Sequence, residues 1–156
     1  MFKKVVWATD GSELAERALP FALGLASGDV AELIAVHVKE LLVGRAGGYP
    51  LRADEPEIER QLETSVAELR ERGVPARLVV ITTGGAGTAA SIAEAADAYG
   101  ADVIVVGTHG RGAIAGTVLG SVARQLLHKA HQPVLAVPVL HLAETVLEQT
   151  VGAGSP

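Results

Sequence analysis

The stretch GTHGRGAIAGTVLGS, residues 107–121, decides how the rest of this chain is read. It follows a short, β-branched apolar run, ADVIVV at 101–106, which has the character of a parallel strand buried on both faces. After it, Val122, Leu126 and Leu127 fall on one helical stripe, with Arg124, Gln125, His128 and Lys129 largely elsewhere, so a helix begins near Ser121. The first N–H groups of a helix lack intrahelical acceptors and sit at the positive end of its dipole, where an anion is favoured. Glycine lets an anion come close to the backbone. Gly107 and Gly110 at the strand end and Gly120 at the helix start therefore read as the two sides of a phosphate cradle. The plain alternative is a surface loop ahead of a serine-capped helix.

Length and composition narrow the classes. A chain of 156 residues, 49% hydrophobic, fits one domain with a proper core. A net charge of −5 without a lysine–arginine run argues against nucleic acid as the main partner, because that binding needs clustered positive charge. The absence of cysteine excludes disulfides, thiolate metal sites and cysteine nucleophiles. The apolar run 5–8 behind Lys3 and Lys4 is too short for a signal peptide, and no stretch approaches a membrane span. A cytoplasmic protein with no membrane partner is the expectation.

From the start of the chain, residues 4–9 read as a buried strand that ends in a turn at Asp10, Gly11 and Ser12. A helix follows with Leu14, Ala18, Phe21, Ala22 and Leu25 as its apolar stripe, closed near Gly28. Residues 31–38 form a second strand. Residues 39–56 read as a loop, punctuated by Gly44, Gly47, Gly48, Pro50 and Pro56. A helix over 57–72 turns Ile58, Leu62, Val66 and Leu69 inward, and a third strand runs over 76–82. A second glycine turn and a helix carrying Ala89, Ile92, Ala93 and Ala96 lead to the fourth strand. The fifth runs from Val134 to Val139, and residues 141–156 form a partly disordered tail beyond a domain over 1–140.

Five strand signals alternating with four helix signals imply a doubly wound, single-domain α/β fold: a five-stranded parallel sheet, Rossmann-like, with right-handed crossovers. The simplest order is 3-2-1-4-5. It places the C-terminal ends of strands one and four at the switch point, where such sheets bind ligands. Thr9, Asp10 and residues 107–110 line that crevice.

Other constellations are weaker. Gly85-x-Gly87-x-x-Ala90 matches a dinucleotide fingerprint, yet the next strand ends in Val105, Val106 and Gly107, without the ribose-binding acid. No G-x-x-x-x-G-K-[ST] is present, which weighs against a P-loop hydrolase. Asp10 suits either ribose or metal contact, or helix capping. His128 and His131 lack further ligands for zinc. His37 reads as a packed strand residue, and His109 lies inside the cradle. Neither a serine–histidine–acid set nor a carboxylate pair has defensible spacing.

The pattern Gly107-x2-Gly110-x9-Gly120-Ser121 resembles the ATP-binding signature of the universal stress protein family. Residues 5–12, 36–38, 101–111 and 132–137 also look like that family, and the resemblance covers residues 2–139. It implies a sheet that holds ATP with magnesium or manganese. Thr9 would lie beside the base, Asp10 near the ribose or the metal, and Val38 in the adenine pocket. Gly107, His109 and Gly110 would border ribose and phosphates. Gly120, Ser121, Val122 and Ala123 would supply amides or a hydroxyl to the phosphates.

The resemblance also implies a homodimer through the last strand, from Val134 to Val139, a ladder that Pro138 limits because it cannot donate. The function expected is a nucleotide-dependent sensor or switch in the stress response, with at most slow hydrolysis. The alternative is a slow metal-dependent ATPase or phosphotransfer enzyme, with Ser121 or Thr117 as acceptor. Within the 39–56 loop, Arg45, Tyr49 and Arg52 either fold over the nucleotide or belong to a connector.

Overall fold

Strand parity organises the molecule. In the computed structural model, which describes residues 2–28, 31–44, 47–50, 52–84, 87–110 and 119–138, five parallel strands form the sheet. They are β1 (Lys4–Ala8), β2 (Glu32–Gly44), β4 (Ala76–Thr83), β5 (Val103–Gly107) and β6 (Val134–Val137). Their order is β4-β2-β1-β5-β6, the expected doubly wound arrangement. Val6 sits opposite Ile34 on one side and Ile104 on the other.

Side chains alternate across a strand, so each strand feeds two cores. Val5, Trp7, Leu33, Ala35, Val103 and Val105 pack on one face with the helices α2 (Leu19–Leu25) and α3 (Glu55–Glu71). Val6, Ala8, Ile34, Val36, Ile104 and Val106 pack on the other with α4 (Thr88–Tyr99) and α5 (Ser121–Lys129). The central strands are thus apolar without a break because both of their faces are covered. Ile58, Leu62, Val66 and Leu69 of α3 are all buried, as the spacing predicted.

Three local expectations are corrected. The first helix is broken into α1 (Glu13–Glu16) and α2, with Pro20 in the first turn of α2. Proline is tolerated there but cannot continue an existing ladder, and the break leaves Phe21 54% exposed instead of inward. Leu127 is 52% exposed, because Ala123 and Leu126 are the residues α5 buries.

The predicted 39–56 loop is largely regular. β2 continues to Gly44 and pairs antiparallel with β3 (Gly47–Pro50), and α3 begins at Glu55 with Pro56 in its first turn. Glycine and proline punctuate loops, yet both are compatible with a short edge hairpin and a helix start. Arg45 lies outside the described residues, as do residues 139–156, and with them Val139 of the expected last strand and the tail; β6 ends at Val137, before Pro138.

Candidate functional site

A cavity of about 390 Å³ opens where β1 and β5 end, and all ten residues singled out from the sequence line it: Thr9, Asp10, Val38, Gly107, His109, Gly110, Gly120, Ser121, Val122 and Ala123. That volume suits a small ligand. Thr108, Leu119, Thr88, Ile92 and Arg124 join them. Thr108 and Leu119 lie within the quoted stretch, and Ile92 belongs to the apolar face of α4. Nothing in the spacing pointed to Thr88 or Arg124.

The two ends of the 107–121 stretch are tied directly. Gly120 N–H donates to the Thr108 carbonyl at 2.6 Å, so the strand end and the helix start form one wall. These glycines serve close approach, since neither Gly110 nor Gly120 has positive φ. A Cβ on Gly120 would lie 2.8 Å from the Thr108 carbonyl oxygen, and one on Gly110 would lie 2.5 Å from Asp10 Oδ2.

α5 has Gly120 at its N-cap, with no side-chain capping bond. The first helical bond runs from Arg124 N–H to the Gly120 carbonyl at 3.0 Å. The N–H groups of Ser121, Val122 and Ala123 precede that bond, at the positive end of the dipole and on the cavity wall.

Asp10 is the carboxylate on this wall. Its Oδ1 accepts from Ser12 N–H at 3.0 Å and from Ser12 Oγ at 2.5 Å. Ser12 Oγ in turn accepts from Ala15 N–H at 3.2 Å, so the capping duty weighed for Asp10 falls to Ser12, and Asp10 braces the cap. Among the described residues, no group of three His, Cys, Asp or Glu side chains converges as a metal site.

The other wall is a strand edge. Even-numbered residues of β2 direct their main-chain groups toward β1: Glu32 N–H donates to the Lys3 carbonyl (2.8 Å), and the Val36 carbonyl accepts from Thr9 N–H (3.0 Å). Leu33 turns the opposite way and donates to Pro75 (2.8 Å). Val38 is the next residue on the β1 side, but β1 has ended at Ala8, so its N–H and C=O face the cavity it lines.

Beneath this wall lies a pair the sequence did not disclose. His37 and Glu55 are 2% and 1% exposed, and His37 Nε2 contacts Glu55 Oε1. On its other side, His37 Nδ1 lies 3.0 Å from the Thr9 carbonyl. His37 is therefore a packed strand residue, as read, with partners on both ring nitrogens. Glu55 falls in the stretch whose glycines and prolines predict a loop, and no sequence signal pairs it with His37.

The remaining polar clusters lie apart. Asp97 accepts from Gln132 Nε2 (2.7 Å), and its Oδ2 lies 2.9 Å from His131 Nδ1; these two bonds hold its carboxyl below the usual carboxylate value. His131 thus joins α4. At the N-terminal ends of β1 and β5, Asp102 Oδ2 accepts from the backbone N–H groups of Lys3 (2.7 Å) and Lys4 (2.9 Å), which lower its pKa, Lys4 contributing most. Among the described residues no helix is long and apolar enough to cross a membrane.

The chain is similar to known proteins along most of its length. A universal stress protein of Thermus aquaticus is 33% identical over 138 residues, which is 88% of this chain and 99% of that protein. Universal stress protein Rv2005c of Mycobacterium tuberculosis is 35% identical over 134 residues, 84% of this chain but only 44% of its own length, so this chain spans under half of it.

Among solved structures, MJ0577 of Methanocaldococcus jannaschii superposes with a TM-score of 0.75 at 26% identity, over 90% of this chain and 99% of that one. A universal stress protein from Archaeoglobus fulgidus in complex with dAMP scores 0.62 at 27% identity, over 88% and 98% of the two chains. A universal stress protein in complex with cAMP scores 0.59 at 28% identity, over 87% of this chain and 96% of that one. The sequence model of the universal stress protein family matches residues 1–138, nearly the whole described length, and this chain belongs to that family.

Proposed function

We propose that this protein binds ATP with magnesium or manganese in the cavity between β1, β5 and α5, and acts in the cytoplasm as a nucleotide-dependent sensor or switch of the stress response. The observation that carries this reading is the wall made by Thr108 and Gly120, which brings the α5 amides of residues 121–123 to the same cavity as the Val38 strand edge. Amides at a helix start suit phosphate oxygens. A main-chain N–H beside a C=O suits the adenine edge, in which ring N1 accepts and the 6-amino group donates. The relatives that carry dAMP and cAMP share that base.

The donor set fits the accompanying ion in one limited way. Asp10 would be its protein ligand, and phosphate oxygens and water would complete the shell, as is usual for magnesium. Gly107, His109 and Gly110 would border ribose and phosphates, and Thr9 the base. Among the described residues the cavity wall supplies amides, a carboxylate and a serine hydroxyl but no activated nucleophile, and hydrolysis on this reading is at most slow. A slow ATPase or phosphotransfer activity is the second reading, favoured by Asp10 and the Ser121 hydroxyl on one cavity; Thr117 lies outside the described residues. Repeated turnover of labelled ATP on the seconds scale selects it.

The nucleotide-binding unit is proposed to span residues 1–140, and a homodimer to form through the last strand. β6 is an edge strand paired with β5, its Leu135 is 37% exposed, and a bare apolar edge invites pairing. The decisive test for ATP is calorimetry with magnesium present. Gly110→Ala pushes a methyl group into the Asp10 carboxylate and should weaken ATP about tenfold, roughly one charge-assisted contact. Unchanged affinity in that variant would mean that Asp10 yields without loss and is not a ligand contact, and no adenine nucleotide taken up by the unaltered protein overturns the reading.

A further inference from the structure

We infer that His37 is a positioning residue for base recognition: its ring N–H occupies the Thr9 carbonyl and so keeps the Val38 main-chain N–H available to a nucleobase. The inference rests on the adenine-nucleotide reading above and assigns a duty to a buried pair that never touches the ligand. In the β1–β2 ladder the pattern is regular, with Glu32 N–H on the Lys3 carbonyl and Thr9 N–H on the Val36 carbonyl. Continued by one step, it would place Val38 N–H on the Thr9 carbonyl. That carbonyl instead faces His37 Nδ1 at 3.0 Å.

A carbonyl only accepts, so Nδ1 carries a proton, and Nε2 meets Glu55 Oε1 with one further proton held between them. Glu55, in the first turn of α3, thereby fixes which nitrogen faces Thr9. The ladder is stopped by a side chain, at the residue where the sheet must stop if its edge is to read a base. Adenine offers an acceptor to Val38 N–H and a donor to Val38 C=O. A 6-oxo purine such as inosine or guanine presents the reverse at both positions, so this edge rejects it.

The test titrates the protein with ATP, inosine triphosphate and tripolyphosphate. The unaltered protein should favour ATP over inosine triphosphate by at least about tenfold, the weight of one mismatched hydrogen bond. His37→Phe combined with Glu55→Leu fills the space without stranding a buried carboxylate, and it frees the Thr9 carbonyl to capture Val38 N–H. That preference should then fall to within about threefold while tripolyphosphate affinity stays within about twofold, a split that general loosening of the fold would not produce. His37→Asn with Glu55→Leu returns an N–H near the Nδ1 position and should restore the preference.

Unaltered base preference in the Phe/Leu variant overturns the assignment. No ATP uptake by the unaltered protein overturns the underlying nucleotide reading, which is a different result. Amide exchange on the unaltered protein needs no variant: Val38 N–H should exchange freely alone or with tripolyphosphate and become protected with ATP. Protection of that amide in the free protein overturns the inference.

Discussion

Two glycine-rich strand-to-helix turns, one from β5 into α5 and one from β4 into α4, look alike in sequence and differ in what meets the helix start. At α5 the first-turn amides line the cavity beside Asp10, behind a Gly120 cap that offers no side-chain acceptor. At α4 the first residue, Thr88, reaches the same cavity, but its hydroxyl donates to Glu40 Oε1 at 2.5 Å, whereas the Asp10 carboxylate near α5 is held by Ser12. Glu40 reaches α4 because β2 continues past Val38 and even-numbered residues of β2 face that side. A helix start is an anion site only when the fold has not filled it.

The glycines differ in the same way. Gly120 has ordinary φ and no room for a Cβ, whereas Gly87, the α4 cap, has φ +87 and nothing within 4 Å of the place a Cβ would take. One is required by packing and the other by backbone conformation.

The largest expected effect follows from the first. Gly120→Val forces a side chain into the Thr108 carbonyl and parts the cavity wall, and ATP affinity should fall about a hundredfold, or ~2.7 kcal/mol, by calorimetry. Retained affinity would break the comparison, because the wall would then not depend on that contact. Gly87→Ala should cost about 1–3 kcal/mol of stability in urea melts, the strain of a side chain at that φ and ψ, with ATP affinity within about twofold. A matching loss of ATP affinity would mean that the backbone of the α4 turn, and not only the Thr88 side chain, shapes the cavity.

The smallest effect lies at the far end of the sheet. Asp102, whose pKa is lowered by the Lys4 and Lys3 N–H groups, stabilises the fold above its unfolded value near 3.8, and that contribution disappears as pH falls through the lower folded value. Asp102→Asn should therefore melt slightly below the unaltered protein at pH 7, with the gap closing in acid. An equal gap at both ends of the range would mean the ionised carboxylate is not what matters.

Periodicity carried most of the fold. Runs buried on both faces, such as 5–8 and 103–106, can only be central parallel strands, and their alternation with helical stripes leaves few topologies. Where the structure departs from local signals, the neighbours in space decide. Pro20 breaks a helix whose apolar stripe is continuous in sequence, and the glycines and prolines after Val38 belong to a hairpin and the first turn of α3. With Glu55 placed in a loop, its meeting with His37, eighteen positions away, was invisible.

By itself the sequence determined the strand order, the switch-point crevice and the residues that gather there, because buried strands and glycine spacing are local properties that admit one economical arrangement. Only the tertiary structure decided that Glu40 meets the start of α4, which glycines are pressed against a carbonyl or a carboxylate, and where the β1–β2 ladder stops. Those outcomes depend on groups brought together from distant positions, Thr108 with Gly120, Glu40 with Thr88 and Thr9 with His37, and the chain's order carries no record of such distances.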